Sequence, residues 1–277
     1  MLELLKSMAH DFGAWKTQIF QLAIITVRKQ THNTVLGWLW LFLKPAMYIF
    51  CFWFALYIGI RAGGSGMTST QYLMWLSCGV IPWFFFKDTI NAGSRLFSKY
   101  KFLVNKLKFP VAFIPVFYEL ADLLVHFLLL LALFAMFFIL GGVPDVYFAQ
   151  LLLLFVFMYV FAVGWSLLTS SLTAISKDIA NLITTLSTPI FWLSGVIFDV
   201  ANIESTTIRH ILYFDPITFI VECFRIVFGN GTVFGEAPSF IWSNPVFFAC
   251  GLGTILLTAV LGLIVFSRLR KDIPDVV

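Results

Sequence analysis

Charge is scarce in this chain: Asp, Glu, Lys and Arg make up only 12% of its 277 residues. The motifs of covalent and metal chemistry are missing. No GxxxxGK[ST] run occurs, so the chain has no phosphate loop of its own. It has no HExxH and no Cys/His cluster, which removes the usual zinc frameworks. No Ser or Cys stands in a nucleophile-elbow context. The four cysteines share no motif spacing, so neither a disulfide nor a metal site is expected. Residues 1–18 have no apolar core and do not read as a signal peptide. The net charge of +4 is spread over short loops and chain ends, which argues against a nucleic-acid binder.

Apolar side chains are abundant instead. The chain is 60% hydrophobic, with 33 Phe, more than a soluble domain can hide. The reading is an all-α integral membrane protein with six transmembrane helices. The spans are expected at about Val35–Ile60, Gln71–Ile90, Val111–Leu140, Tyr147–Leu172, Ile179–Phe198 and Pro245–Phe266, each near or above the ~20 residues that cross a bilayer. Before them, within residues 1–33, Phe12, Trp15, Ile19, Leu22 and Ala23 recur at helical spacing. Asp11, Lys16, Gln18 and Arg28 lie elsewhere on the wheel, so residues 8–30 read as an amphipathic helix lying in the cytoplasmic interface.

Ile208–Phe228 resembles a seventh span but carries Arg209, His210, Asp215, Glu222 and Arg225. An Arg or Asp at the bilayer centre costs roughly 2.5–3.5 kcal/mol. The Asp215–Pro216 step divides the stretch into two short apolar pieces, read as a re-entrant pair at the outer face within region 199–244. Glu222 and Arg225, three apart, are placed to pair.

The strongly basic run is Arg95–Pro110, RLFSKYKFLVNKLKFP, between the second and third spans. Its cations assign it to the cytoplasm. With this loop inside, thirteen cations fall inside and three outside, Arg61, Arg209 and Arg225, and both termini are cytoplasmic. The loop also carries Phe97, Tyr100, Phe102, Leu103 and Phe109, more aromatic surface than orientation requires, so it is expected to dock on a cytoplasmic partner. The shorter loop AISKDIAN, with Lys177 and Asp178, is either a plain turn or a second docking contact. Asn230-Gly231-Thr232 matches a glycosylation acceptor but is read as a turn.

Three ionisable residues in the third span, Glu119, Asp122 and His126, have spacings that put them on one helix face. They are compatible with a proton relay, a polar substrate lining or a structural network between helices. Trp38, Trp40, Tyr48 and Trp53 of the first span and Trp192 of the fifth offer flat faces suited to sugar rings. An interfacial aromatic belt and plain packing use the same residues.

In order and spacing, several stretches resemble the membrane subunit of polysaccharide and teichoic-acid exporting ABC transporters, the type-2 permease class. They are VRKQTHNTVLGWLWLFLKPA, GVIPWFFFKDTINAGSRLF, the loop ending NKLKFP, SLLTSSLTAISKDIANL, STPIFWLSGVIF and YFDPITFIVECFR. The likeness covers nearly the whole chain and leans to the teichoic-acid branch.

The resemblance implies a non-catalytic permease, one transmembrane domain over 1–277, in a bacterial cytoplasmic membrane. It implies a homodimer with two copies of a cytoplasmic ABC ATPase. ATP and Mg belong to that ATPase, and this chain holds no cofactor. The substrate is then a lipid-linked glycopolymer of teichoic-acid, O-antigen or capsule type. The coupling helix falls at Ser98–Phe109, with Ser98, Lys99, Tyr100, Lys101, Phe102, Leu103, Asn105 and Lys106 as contacts. The cations Arg28, Lys29 and Lys44 stand near the inner entrance, where they are expected to attract the lipid pyrophosphate. Since ATP supplies the energy in such transporters, Glu119 and Asp122 become lining or structural groups. The alternatives from other classes are a proton-coupled secondary transporter using Glu119, Asp122 and His126, or an intramembrane enzyme acting on lipid-linked sugars.

Overall fold

The computed structural model describes residues 2–31, 35–59, 66–106, 109–229 and 239–273, without the side chains of 2–12, 30–31 and 105–106. Among the described residues the structure is helical and contains no strand. The helices are α1 (Leu2–Thr31), α2 (Leu39–Phe52, continued by a π-helical stretch Trp53–Gly59), α3 (Ser69–Gly93), α4 (Leu96–Lys99) and α5 (Lys101–Lys106). After these come α6 (Phe113–Ile139), α7 (Gln150–Ile175), α8 (Lys177–Leu193), α9 (Thr206–Tyr213), α10 (Pro216–Phe228) and α11 (Pro245–Leu269).

Local chemistry sets several of these boundaries. Thr68 and Gln71 form a reciprocal capping box at the start of α3. Asp215 caps α10 through Ile217 N at 3.2 Å and Thr218 N at 3.0 Å, and Pro216 sits where its missing N–H costs nothing. Asn244 followed by Pro245 repeats that arrangement at α11.

Four helices are long and apolar enough to cross a membrane: Leu39–Gly59, Phe113–Ile139, Val146–Ile175 and Pro245–Leu269. They match the expected first, third, fourth and sixth spans to within a few residues at most ends. Helices α3 and α8 occupy the second and fifth positions without meeting the same measure. Helix α3 has the length, but most of its surface is buried against protein, so polar Ser77, Thr89 and Gly positions replace lipid-facing leucines. Helix α8 has 17 residues, short of ~20, and carries Asn181, Thr184, Thr185 and Thr188. The stretch read as a divided pair is two helices, α9 and α10, broken at Asp215–Pro216. The stretch 8–30, expected as an interfacial helix, is helical and forms part of the longer α1. The Asn230-Gly231-Thr232 turn lies outside the described residues.

Two apolar cores stack along the bundle. The larger joins α3, α6, α7, α10 and α11 around Phe86, Phe137, Phe219, Phe224 and Phe228. The smaller joins α1, α4 and the first turns of α6 around Phe97, Phe113 and Phe117, with Phe266 from the end of α11. Helices α7 and α11 touch backbone to backbone: a Cβ on Gly164 would stand 2.5 Å from Ala259 Cα, and one on Gly262 would meet the Gly164 carbonyl. Helix α2, by contrast, is peripheral, with Pro45 its only buried residue.

Candidate functional site

The segment after α3 folds back as α4 and α5, and its apolar side chains are divided between two uses. Leu96 and Phe97 are buried in the smaller core. Tyr100 packs edge-on to Phe117 at 5.1 Å, and its hydroxyl lies 3.3 Å from Thr26 Oγ1 of α1. Ser98, Lys99 and Lys101 remain exposed, as does Phe102 at 60%. Leu103 is half-buried. The backbone of Asn105 and Lys106 continues α5, and their side chains lie outside the described residues, as do Leu107 and Lys108 altogether. The Arg95 guanidinium donates to Asn181 Oδ1 at 3.3 Å and Thr184 Oγ1 at 3.4 Å on α8.

Lys99 bends toward the bundle. Its ammonium stands 4.3 Å from the centroid of the Tyr118 ring on α6. Although the residue as a whole is exposed, partial desolvation of its ammonium beside the bundle pulls its pKa below the ordinary lysine value, the nearby Asp122, Glu119 and Asp88 carboxylates oppose the shift, and Lys29 adds to it.

Tyr118 also borders a cavity of about 370 Å3 between α2, α3 and α6. Trp40 and Lys44 reach it from α2, Lys87 and Asp88 from α3, and Asp122 and His126 from α6. The Lys87 ammonium lies over Tyr48 at 5.0 Å and Phe84 at 5.5 Å, joining α3 to α2. His126 is 2% exposed, ringed by Phe85, Phe155 and Phe224, and neither ring nitrogen has a hydrogen-bond partner.

The three ionisable residues of α6 therefore separate. Asp122 and His126 line the cavity, whereas Glu119 turns to the neighbouring helices. Glu119 accepts from Ser166 Oγ of α7 at 2.5 Å and from Thr89 Oγ1 of α3 at 2.9 Å. A fully buried carboxylate with two such donors ties three helices together.

The expected aromatic residues form a second surface. Tyr48 packs on Phe52 at 6.2 Å, and Phe52 reaches both Phe191 at 5.2 Å and Trp192 at 6.1 Å on α8. Trp53 stacks on Tyr57 at 6.4 Å, and Trp192 is 53% exposed. Trp38 and Trp40 are both exposed at the start of α2, and Trp40 alone of the two borders the cavity. Of the three expected entrance cations, Lys44 lines the cavity, while Arg28 and Lys29 lie exposed near the end of α1.

At the opposite end, Arg225 of α10 is 3% exposed. It donates to Glu222 at 2.8 Å, to Gly195 O at 2.7 Å and to Val196 O at 2.7 Å, and stacks 3.6 Å from the Trp75 ring centroid. The spacing of Glu222 and Arg225 foretold their pair. The carbonyls and Trp75, which hold the chain after α8 against α3 and α10, carried no local signal. Lys87, Asp88 and Tyr118 were likewise missed as site residues. An adjacent Lys-Asp pair inside an apolar stretch was the available sign.

The description of the ABC-2 type transporter family matches residues 17–229 of the chain. An O-antigen export system permease protein RfbA from Klebsiella pneumoniae is 20% identical over 264 residues, covering 93% of this chain and 95% of that protein. The protein of the same name from Myxococcus xanthus is 18% identical over 222 residues, covering 80% and 84%.

Proposed function

The chain belongs to the ABC-2 type transporter family, and from that premise we propose that it is the permease half of an ATP-driven exporter of a lipid-linked cell-surface glycopolymer. The observation that carries the reading is the α4–α5 segment. It presents Lys101 and Phe102 outward while Lys99 touches Tyr118 at the wall of the cavity. A surface of that kind can receive force from a separate ATPase and pass it to the membrane interior.

In this reading the protein is one transmembrane domain of six spans in the bacterial cytoplasmic membrane, with both termini and α4–α5 inside. Helices α3 and α8 complete the crossing, α3 with its polar groups covered by protein neighbours and α8 with Asn181, Thr184, Thr185 and Thr188 exposed on the face left for a second copy, and α9–α10 form a re-entrant pair at the outer face. Two permeases and two ATPases make the working unit. The ATPases carry ATP and Mg, and this chain is non-catalytic. The sparsely buried α2 and the aromatic surface it shares with α8 are the faces available for a second copy and for a channel lined by Trp38, Trp40, Tyr48, Trp53 and Trp192. Arg28, Lys29 and Lys44 attract the lipid pyrophosphate at the inner entrance. The names of the relatives favour an O-antigen-like polymer, and teichoic acid and capsule glycans share the chemistry.

The test is reconstitution with an ABC ATPase from the same organism. Inside-out vesicles should move a lipid-linked glycan to the lumen only with hydrolysable ATP. Movement driven by a proton gradient alone would replace the reading with a secondary transporter.

A further inference from the structure

The cavity between α2, α3 and α6 is distinct from the aromatic α2–α8 surface, and its chemistry is specific. A fully desolvated imidazole with both nitrogens unpartnered is costly unless something else supplies the bonds. His126 shares the cavity lining with the Asp122 carboxylate, the Tyr118 phenol and the indole of Trp40. Lys44 and Lys87 are balanced within the lining by Asp88 and Asp122, so the cavity as a whole does not select for an anion, and any pull of Lys44 on a pyrophosphate acts together with Arg28 and Lys29 outside it. Neutral imidazole offers one donor and one acceptor, carboxylates accept, ammonium groups donate, and an indole face covers apolar C–H surface. That combination fits a neutral, hydroxyl-rich ring. The volume, about 370 Å3, falls in the ~300–1,000 Å3 range of small-molecule sites.

We propose that this cavity is a saccharide-recognition pocket, in which His126 and Asp122 bond ring hydroxyls and Trp40 covers one sugar face. The pocket is a reading station that opens off the transport path, the two sharing Trp40. Its Tyr118 wall adjoins Lys99, so occupancy is felt by the α4–α5 segment. The inference rests on the proposed export function only for the source of the sugar, a unit of the glycopolymer.

The test uses the permease–ATPase complex in nanodiscs of phosphatidylethanolamine and phosphatidylglycerol. The probe is a diazirine-tagged methyl glycoside of N-acetylglucosamine, with the mannose counterpart in parallel. Cross-linked peptides are expected from residues 39–44 of α2 and 118–129 of α6. His126→Phe, which keeps an aromatic ring but removes both nitrogens, should reduce labelling at least fivefold. His126→Gln, which restores a donor and an acceptor, should recover most of it. Labelling confined to the α2–α8 aromatic surface would overturn the inference and leave the export reading standing. Labelling of the cavity by diazirine phosphatidylglycerol that free sugar does not displace would assign it to a membrane lipid instead. No labelling by either sugar would also overturn it, whatever the ATP-driven vesicle assay reports.

Discussion

Lys99 on the segment after α3 and Tyr118 on α6 meet as ammonium and aromatic face, 4.3 Å from nitrogen to ring centroid. The contact joins the exposed basic-aromatic loop to the wall of the polar cavity. A cation–π contact contributes from ~0.5 kcal/mol when exposed to ~2 when desolvated. Tyr118→Leu should therefore lower glycan movement per ATP hydrolysed by roughly threefold to thirtyfold. The ATPase should still copurify, because the exposed loop surface is untouched. Parallel measurement of transport and hydrolysis checks this; equal losses in both would mean a folding defect rather than uncoupling.

The lowered pKa of Lys99 has its own readout. Burial disfavours the charged amine more than Asp122, Glu119 and Asp88 restore it. For a cationic group with a depressed folded pKa, protonation works against the fold. This contribution to stability is present above the unfolded lysine pKa and is lost as pH falls through the folded value. Competitive acylation across pH 8–11, read by peptide mass spectrometry, should place the Lys99 midpoint below the ordinary lysine value near ~10.4. A midpoint at or above that value contradicts the geometry.

Arg225 should be among the least replaceable residues. Arg225→Ala leaves Glu222 and the Gly195 and Val196 carbonyls without their guanidinium partner. Breaking a buried charged network costs ~3–5 kcal/mol. Thermal unfolding in detergent should show a marked drop. Arg225→Lys should recover only part of it, since one ammonium cannot serve all these acceptors and stack on Trp75.

The crossing of α7 and α11 makes a paired prediction. Gly262→Ala forces a methyl group into the Gly164 backbone and should sharply reduce folded yield. Gly253→Ala, on the same helix, meets nothing within 4 Å and should be neutral or slightly stabilising. Size-exclusion profiles of the two variants decide it.

Legibility in the sequence followed the range of the interaction. The break at Asp215–Pro216 and the Glu222–Arg225 pair were readable because capping and i,i+3 pairing involve neighbours along the chain. The burial of α3 was not, since a hydropathy pattern does not say whether protein or lipid covers a helix. The separation of Glu119 from Asp122 and His126 was hidden for a related reason. Spacing put them on one side of α6, but Ser166, 47 residues away, draws Glu119 toward α7. The cavity needed Lys44, Lys87 and Asp122 from three different helices, and nothing local links them. The exposed basic side of the loop, with Lys101 and Phe102, was legible. Its inward attachment through Leu96, Phe97, Tyr100 and Lys99 was not.

On the proposed function, the α4–α5 surface receives a cytoplasmic ATPase. The most direct measurement is copurification of an ABC ATPase of the same organism with tagged permease, comparing the native chain with Phe102→Ala and Lys101→Glu. Both side chains are exposed, so the fold should survive each change. Stoichiometric ATPase is expected with the native chain and at least a tenfold loss with either variant, at unchanged permease yield. Undiminished ATPase on both variants would contradict that docking.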